Sequence, residues 1–126
     1  MKKLDFSATL TTSGATIETK LPMYIFKEND VHVVYCPCLD LSAAGNTERE
    51  AKAEFAEVLR LHIEYCFNKK TFFKDLQNLG WIIKKQNIAQ APSVKEMLNT
   101  NPVLQNIIYN KTYKTINQPV RIPAYA

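Results

Sequence analysis

Cys36, Cys38, His62 and Cys66 are the residues of this chain whose types could do chemistry together. Thiolate and imidazole suit the tetrahedral preference of zinc, and Cys₃His is one of its structural ligand sets. His62 and Cys66 stand one helical turn apart, while Cys36 and Cys38 share one face of an extended segment. The spacing argues against the metal. Paired cysteines of structural sites are separated by about two to four residues, and here Pro37 alone intervenes. Buried cysteine is also simply a small hydrophobe. A nucleophilic thiol would need a helix N-terminus or a positioned base to lower its pKa. Cys66 falls near a helix C-terminus, and Cys36 and Cys38 precede the next helix by several residues. His32 or His62 could serve as the base of a Cys–His dyad, but core histidine is the commoner explanation.

The carboxylates point the same way. Two-metal phosphoryl chemistry needs them to converge from strand ends and a helix face. Asp5 lies on a polar strand face, Asp30 in a turn, Asp40 after a strand, Glu54 and Glu57 off the apolar stripe of a helix, and Asp75 on a second helix. Their spacing suggests scatter over a surface. The phosphate-loop, dinucleotide and nucleophile-elbow signatures are missing. The expectation is a chain that is not an enzyme and carries no cofactor or metal.

Composition sets the outer limits. The 126 residues suffice for one domain with its own core, 46% of them are apolar, and three glycines leave little room for a flexible linker. The net charge of +4 is mild, and the basic residues come in pairs (Lys2-Lys3, Lys69-Lys70, Lys84-Lys85) rather than runs, so a phosphate-binding face is not signalled. An odd count of three cysteines fits reduced thiols in a cytoplasm. Met1-Lys2-Lys3 lacks the apolar run of a signal peptide, and no stretch is long enough to span a bilayer, so no membrane association is expected.

The elements follow from periodicity. Leu4 to Leu10 alternates apolar and polar, Thr12-Ser13-Gly14 turns, and Ala15 to Lys27 is extended again, with Pro22 predicting an edge or a bend. Met23–Lys27 and Val31–Cys36 predict a hairpin around Glu28-Asn29-Asp30, with a further short strand over Leu41–Ala44. Thr47 with Glu50 three residues later predicts a capping box. The helix it opens buries Ala51, Phe55, Val58, Leu59, His62, Ile63 and Cys66, exposes Arg49, Glu57, Arg60 and Glu64, and ends near Asn68. Thr71 opens a short helix stopped by Gly80, and Trp81-Ile82-Ile83 predicts a buried final strand. The sum is an α+β layer: an antiparallel sheet with one long and one short helix packed on one face.

Residues 1–86 form that domain, with 1–20 as extra N-terminal strands, and 87–126 form a C-terminal tail with short helices and a terminal extended segment. Ser93 and Asn101 are the tail's caps. Phe72, Phe73, Trp81, Tyr24, Phe26 and Tyr35 could be a base-stacking platform but suit a core better. Tyr109, Tyr113, Arg121 and Tyr125 are different. Tyrosine and arginine are enriched at protein interfaces, and these four sit where self-packing is least assured, so they are the expected partner-binding residues.

Phe26-Lys27-Glu28, Tyr35-Cys36-Pro37, Leu39-Asp40-Leu41-Ser42, Gly45-Asn46-Thr47 and Glu50-Ala51 together resemble the HicB-like antitoxin family, and Lys70-Thr71, Asp75-Leu76 and Leu79-Gly80-Trp81 resemble a subgroup without a separate DNA-binding module. The motif residues that carry the fold are Pro37, Leu39, Gly45, Thr47, Glu50, Ala51, Gly80 and Trp81. The resemblance covers about Tyr24 to Lys85. It implies a partial ribonuclease-H-like fold without catalytic carboxylates, whose role is to bind and block a small basic HicA-type ribonuclease toxin. It departs from the family in its extra strand pair over Met1–Lys20 and in having no ribbon-helix-helix or helix-turn-helix, so direct DNA binding is not expected. A homo-oligomer such as a dimer is compatible with an exposed edge near Pro22. The alternative is an orphan RNA-binding or scaffold module of the same fold.

Overall fold

The computed structural model describes residues 16–85 and 88–123. Strand β1 (Thr16–Glu28) turns directly into β2 (Val31–Cys36), pairing Glu28 with Val31 and Tyr24 with Tyr35. Asn29 and Asp30 make that turn with φ of 52° and 66°. Positive φ at both central residues is the type I′ geometry that matches strand twist, and Asn and Asp tolerate it best after glycine. The predicted hairpin is there. A tight turn over Pro37–Asp40 then sends β3 (Leu41–Gly45) back along β2.

Helix α1 (Glu48–Lys69) follows after two residues. Thr47 Oγ1 accepts the Glu50 amide at 3.1 Å as the capping box requires, but Glu50 Oε1 reaches one residue further back, to the Asn46 amide at 3.2 Å. Gly45 explains how close the helix can come. A Cβ there would stand 2.6 Å from the Ala51 nitrogen, so the first turn of α1 rests on bare backbone. Ala51, Phe55, Leu59, Ile63 and Cys66 form the buried stripe, with Val58 and His62 at its margins, and Arg60 bridges Glu57 and Glu64 on the outside.

Lys70 (φ 59°) ends α1, and α2 (Phe72–Asn78) buries Phe72 and Leu76. Thr71 makes no side-chain cap; its hydroxyl donates instead to Asp75 Oδ2 at 3.1 Å. Gly80 does what its position predicts. Its amide bonds to Gln77 O and that of Trp81 to Leu76 O, a Schellman stop with Gly80 at φ 98°.

From here the structure departs from expectation. Trp81 is buried, but Ile82 is 54% exposed. Among the described residues, β4 (Ile82–Lys85) pairs only with β5 (Ile88–Gln90) in a separate two-stranded sheet and does not close the main one. The place beside β1 is taken by β6 (Tyr113–Pro123), which matches it from Phe26↔Tyr113 to Thr16↔Pro123, giving the order β3-β2-β1-β6. An eleven-residue strand offers far more ladder than a four-residue one.

The tail's two helices pack on their own chain. α3 (Val94–Leu98) has a full Ser93/Glu96 capping box, and α4 (Pro102–Asn110) is capped by the Asn101 side chain, which accepts the Leu104 amide at 3.1 Å. Met97, Leu104 and Ile107 join the single core. By register, Leu21, Met23, Ile25, Val34 and Cys36 share one face of the sheet, and Tyr24, Phe26, Val33 and Tyr35 share the other. α1 covers the first. α4 spans the second, its N-cap Asn101 bonded to the Tyr35 hydroxyl and the Lys111 ammonium over the Phe26 ring. The expected one-faced layer is therefore corrected: α1 lies on one face and α4 on the other, because β1 is apolar at successive positions from Met23 to Phe26 and needs cover on both.

Three prolines fit the sheet by parity. Pro22, Pro119 and Pro123 all belong to the class of β1/β6 pairs that alternates with the other. The two-residue turn makes Glu28↔Val31 a hydrogen-bonded pair, so even-numbered residues of β1 bond toward β2 and odd-numbered ones toward β6. Pro22 thus aims its missing donor past the end of β2, a local edge on an otherwise interior strand. The predicted N-terminal strand pair falls largely on residues 1–15, outside the described residues; Thr16–Lys20 runs on into β1 without a break.

Candidate protein-docking surface

The surroundings of all three thiols disfavour the reactive thiolate. Cys36 is fully buried and its thiol is pushed up to about 12, first by burial and then by neighbouring Cys38. Burial raises Cys38 to about 11. Cys66 is also raised to about 11, by burial and by Asp75, whose Oδ2 accepts the thiol proton at 3.1 Å. His62 Nε2 lies 3.7 Å from the same sulfur. A carboxylate that holds the thiol proton is the opposite of nucleophile activation. Cys36 and Cys38 do not join this pair. Cys38 Sγ faces Pro92 O, its carbonyl takes the Trp81 indole N–H at 2.8 Å, and among the described residues no three His, Cys, Asp or Glu side chains are placed to hold a metal ion.

The motif residues stand at the joints of the fold. Pro37 and Leu39 are buried in the β2–β3 turn, Gly45, Thr47, Glu50 and Ala51 make the β3–α1 junction, and Gly80 and Trp81 stop α2. They shape the joints, and of them Thr47 and Glu50 are exposed at the start of α1.

What is presented lies at the end of the sheet where α4 runs into β6. An open cleft of about 580 Å³ there is lined by Phe26, His32, Glu48, Lys111, Tyr113 and Lys114, among others. Glu48 Oε1 takes Lys114 Nζ at 2.8 Å and its Oε2 takes Lys52 Nζ at 3.1 Å. The hydrogen bond from Lys114, seconded by Lys52, holds the Glu48 carboxyl below its ordinary range. Lys111 pairs with Glu28 at 2.7 Å. The charges are fixed in pairs, so the rim is polar and ordered.

Of the four expected interface residues, Tyr113 lines this cleft and Tyr109 is exposed on the last turn of α4 without lining it. Tyr109 projects from α4 and is 72% exposed; Tyr113 opens β6, is 38% exposed, and rests its ring 5.5 Å from that of Tyr24. Arg121 contributes backbone to β6 opposite Glu18, well along the strand from the cleft. Tyr125 lies outside the described residues. Periodicity alone passes over Leu61 and Tyr65, both more than half exposed on the outer side of α1. They are one turn apart beside Glu57 and Glu64, and exposed apolar residues at that spacing are the available signal. It also misses the Tyr35 hydroxyl, which donates to Asp40 Oδ1 and accepts from Asn101 Nδ2, both at 2.8 Å.

No protein-family model, no curated protein and no solved structure matches the chain. Among the described residues, no helix is long and apolar enough to cross a membrane.

Proposed function

We propose that this protein is a HicB-like antitoxin that neutralises a small basic mRNA-cleaving toxin by covering it. The observation that carries this reading is the exposure of Tyr113 at the cleft and of Tyr109 on the last turn of α4, both held in place by a tail that is itself part of the sheet. Large, rigid aromatic side chains lose little freedom on binding, which makes them natural anchors for a partner protein. The partial ribonuclease-H-like character of the fold and the absence of catalysis belong to the same proposal. The raised, buried thiols and the dispersed carboxylates support it.

The test is a titration of a HicA-type ribonuclease with the purified protein. Activity should fall linearly to zero near one equivalent, and undiminished cleavage at excess would sink the proposal. Tyr109→Ala combined with Tyr113→Ala should weaken inhibition at least tenfold while leaving the far-UV spectrum unchanged. RNA binding is the rival. It is disfavoured by the pairing of Lys111 and Lys114 with glutamates, and would show itself as affinity that falls steeply with salt.

A further inference from the structure

The outer edge of β6 is a self-complementary strand, and we infer that it pairs with β6 of a second copy to join two sheets across a two-fold axis. Among the described residues, β6 is the last strand in the order β3-β2-β1-β6. By the same parity that places the prolines, its odd-numbered residues point their N–H and C=O groups away from β1. Two of them, Pro119 and Pro123, have no N–H to offer, which blunts the far half of the edge in the way solvent-facing strands are protected. The near half keeps its donors at Tyr113, Thr115 and Asn117. An edge unguarded over one stretch and guarded over the next has a defined pairing window.

That window selects the occupant. Antiparallel pairing centred on Thr115 sets Thr115 against its own copy and Tyr113 against Asn117, and uses every outward donor of the stretch in both chains. Centring two residues later sets Thr115 against Pro119 and forfeits bonds; centring two earlier runs the strand into α4. The cross-strand partners in the favoured register are Thr with Thr, Tyr with Asn and Lys114 with Ile116. No like charges stand opposite one another, and Lys114, diagonal to its own copy, is already neutralised by Glu48. An isologous contact requires this self-complementarity, and a strand chosen for an unrelated partner has no need of it. The inference is independent of the toxin reading.

Sedimentation velocity over a concentration series should show a species of twice the chain mass. Thr115→Pro removes one outward N–H without touching the bonds to β1, as Pro119 and Pro123 already do, and should return the protein to monomer with a melting curve that matches that of wild type diluted to its monomeric range. Thr115→Cys gives the second measurement. Facing residues of a hydrogen-bonded pair have Cα atoms about 5.5 Å apart, within disulfide reach, and Cys36, Cys38 and Cys66 are buried. Mild oxidation should therefore trap a covalent dimer of this variant alone. A wild type that stays monomeric at its highest soluble concentration, a Thr115→Pro variant that dimerises like wild type, or a Thr115→Cys variant that fails to cross-link would each overturn the inference.

Discussion

Gly45 is where the smallest change should have the largest effect. Its missing Cβ is occupied by the first turn of α1, with backbone atoms of Glu50 and Ala51 under 3 Å away, and backbone cannot step aside. Gly45→Ala should cost about 1–3 kcal/mol, the usual range for overpacking, read as a lower urea midpoint at constant slope. Gly80→Ala differs in cause: the nearest atom to its Cβ is 3.5 Å off, so only the positive φ resists, at about 1–2 kcal/mol. Tyr35→Phe should cost about 1–2 kcal/mol because the Asn101 amide loses its acceptor in a covered site. The thiols set a pH dependence. Unfolded, they ionise near 9.0, whereas the native protein holds those protons to about 11 at Cys38 and Cys66 and about 12 at Cys36. In that window the unfolded chain binds fewer protons than the native one, so stability is level below it and falls as pH climbs through it. Melting temperatures measured from pH 7 to 11 should bend downward near 9, and replacing Cys36 with Ala should soften the bend.

Among the helices and strands, most of what depends on near neighbours along the chain was legible from residue order alone, the missing Thr71 cap excepted. The Asn29-Asp30 turn, the Thr47 cap, the Gly80 stop and the Ser93 and Asn101 caps each involve residues within about one helical turn, where side-chain chemistry decides locally. What was not legible depends on competition. Both Trp81–Ile83 and Tyr113–Pro123 are extended and apolar enough to pair, and nothing local says that the longer one wins the edge of β1. The cleft was half legible for the same reason: Tyr113 stood out by type, but Glu48 and His32 join it only because β6 lies beside β1. Glu48 ties the start of α1 to β6 through Lys114, and its depressed pKa makes that tie an acid-sensitive one. Its contribution is present above the ordinary carboxylate range and fades as pH drops through it. Glu48→Gln should therefore remove part of the acid dependence of unfolding, at a cost below about 1 kcal/mol at neutral pH because the pair is partly solvated.

For the molecule as a whole, β1 is the element on which the rest converges: a hairpin partner on one side, β6 on the other, α1 above and α4 below. Residues that precede position 29 thus depend on residues beyond 112 for half of their ladder. Removing 113–123 should abolish cooperative unfolding altogether rather than lower its midpoint, which a denaturant melt followed by tryptophan fluorescence at Trp81 would reveal. The β1–β6 pairing also has a timetable. A ribosome delivers β1 well before its neighbour β6, so the newborn polypeptide passes through an interval with one flank of its central strand open to any passing edge. Closure waits for β6 to emerge, and the cell's holding chaperones are the natural custodians of that interval.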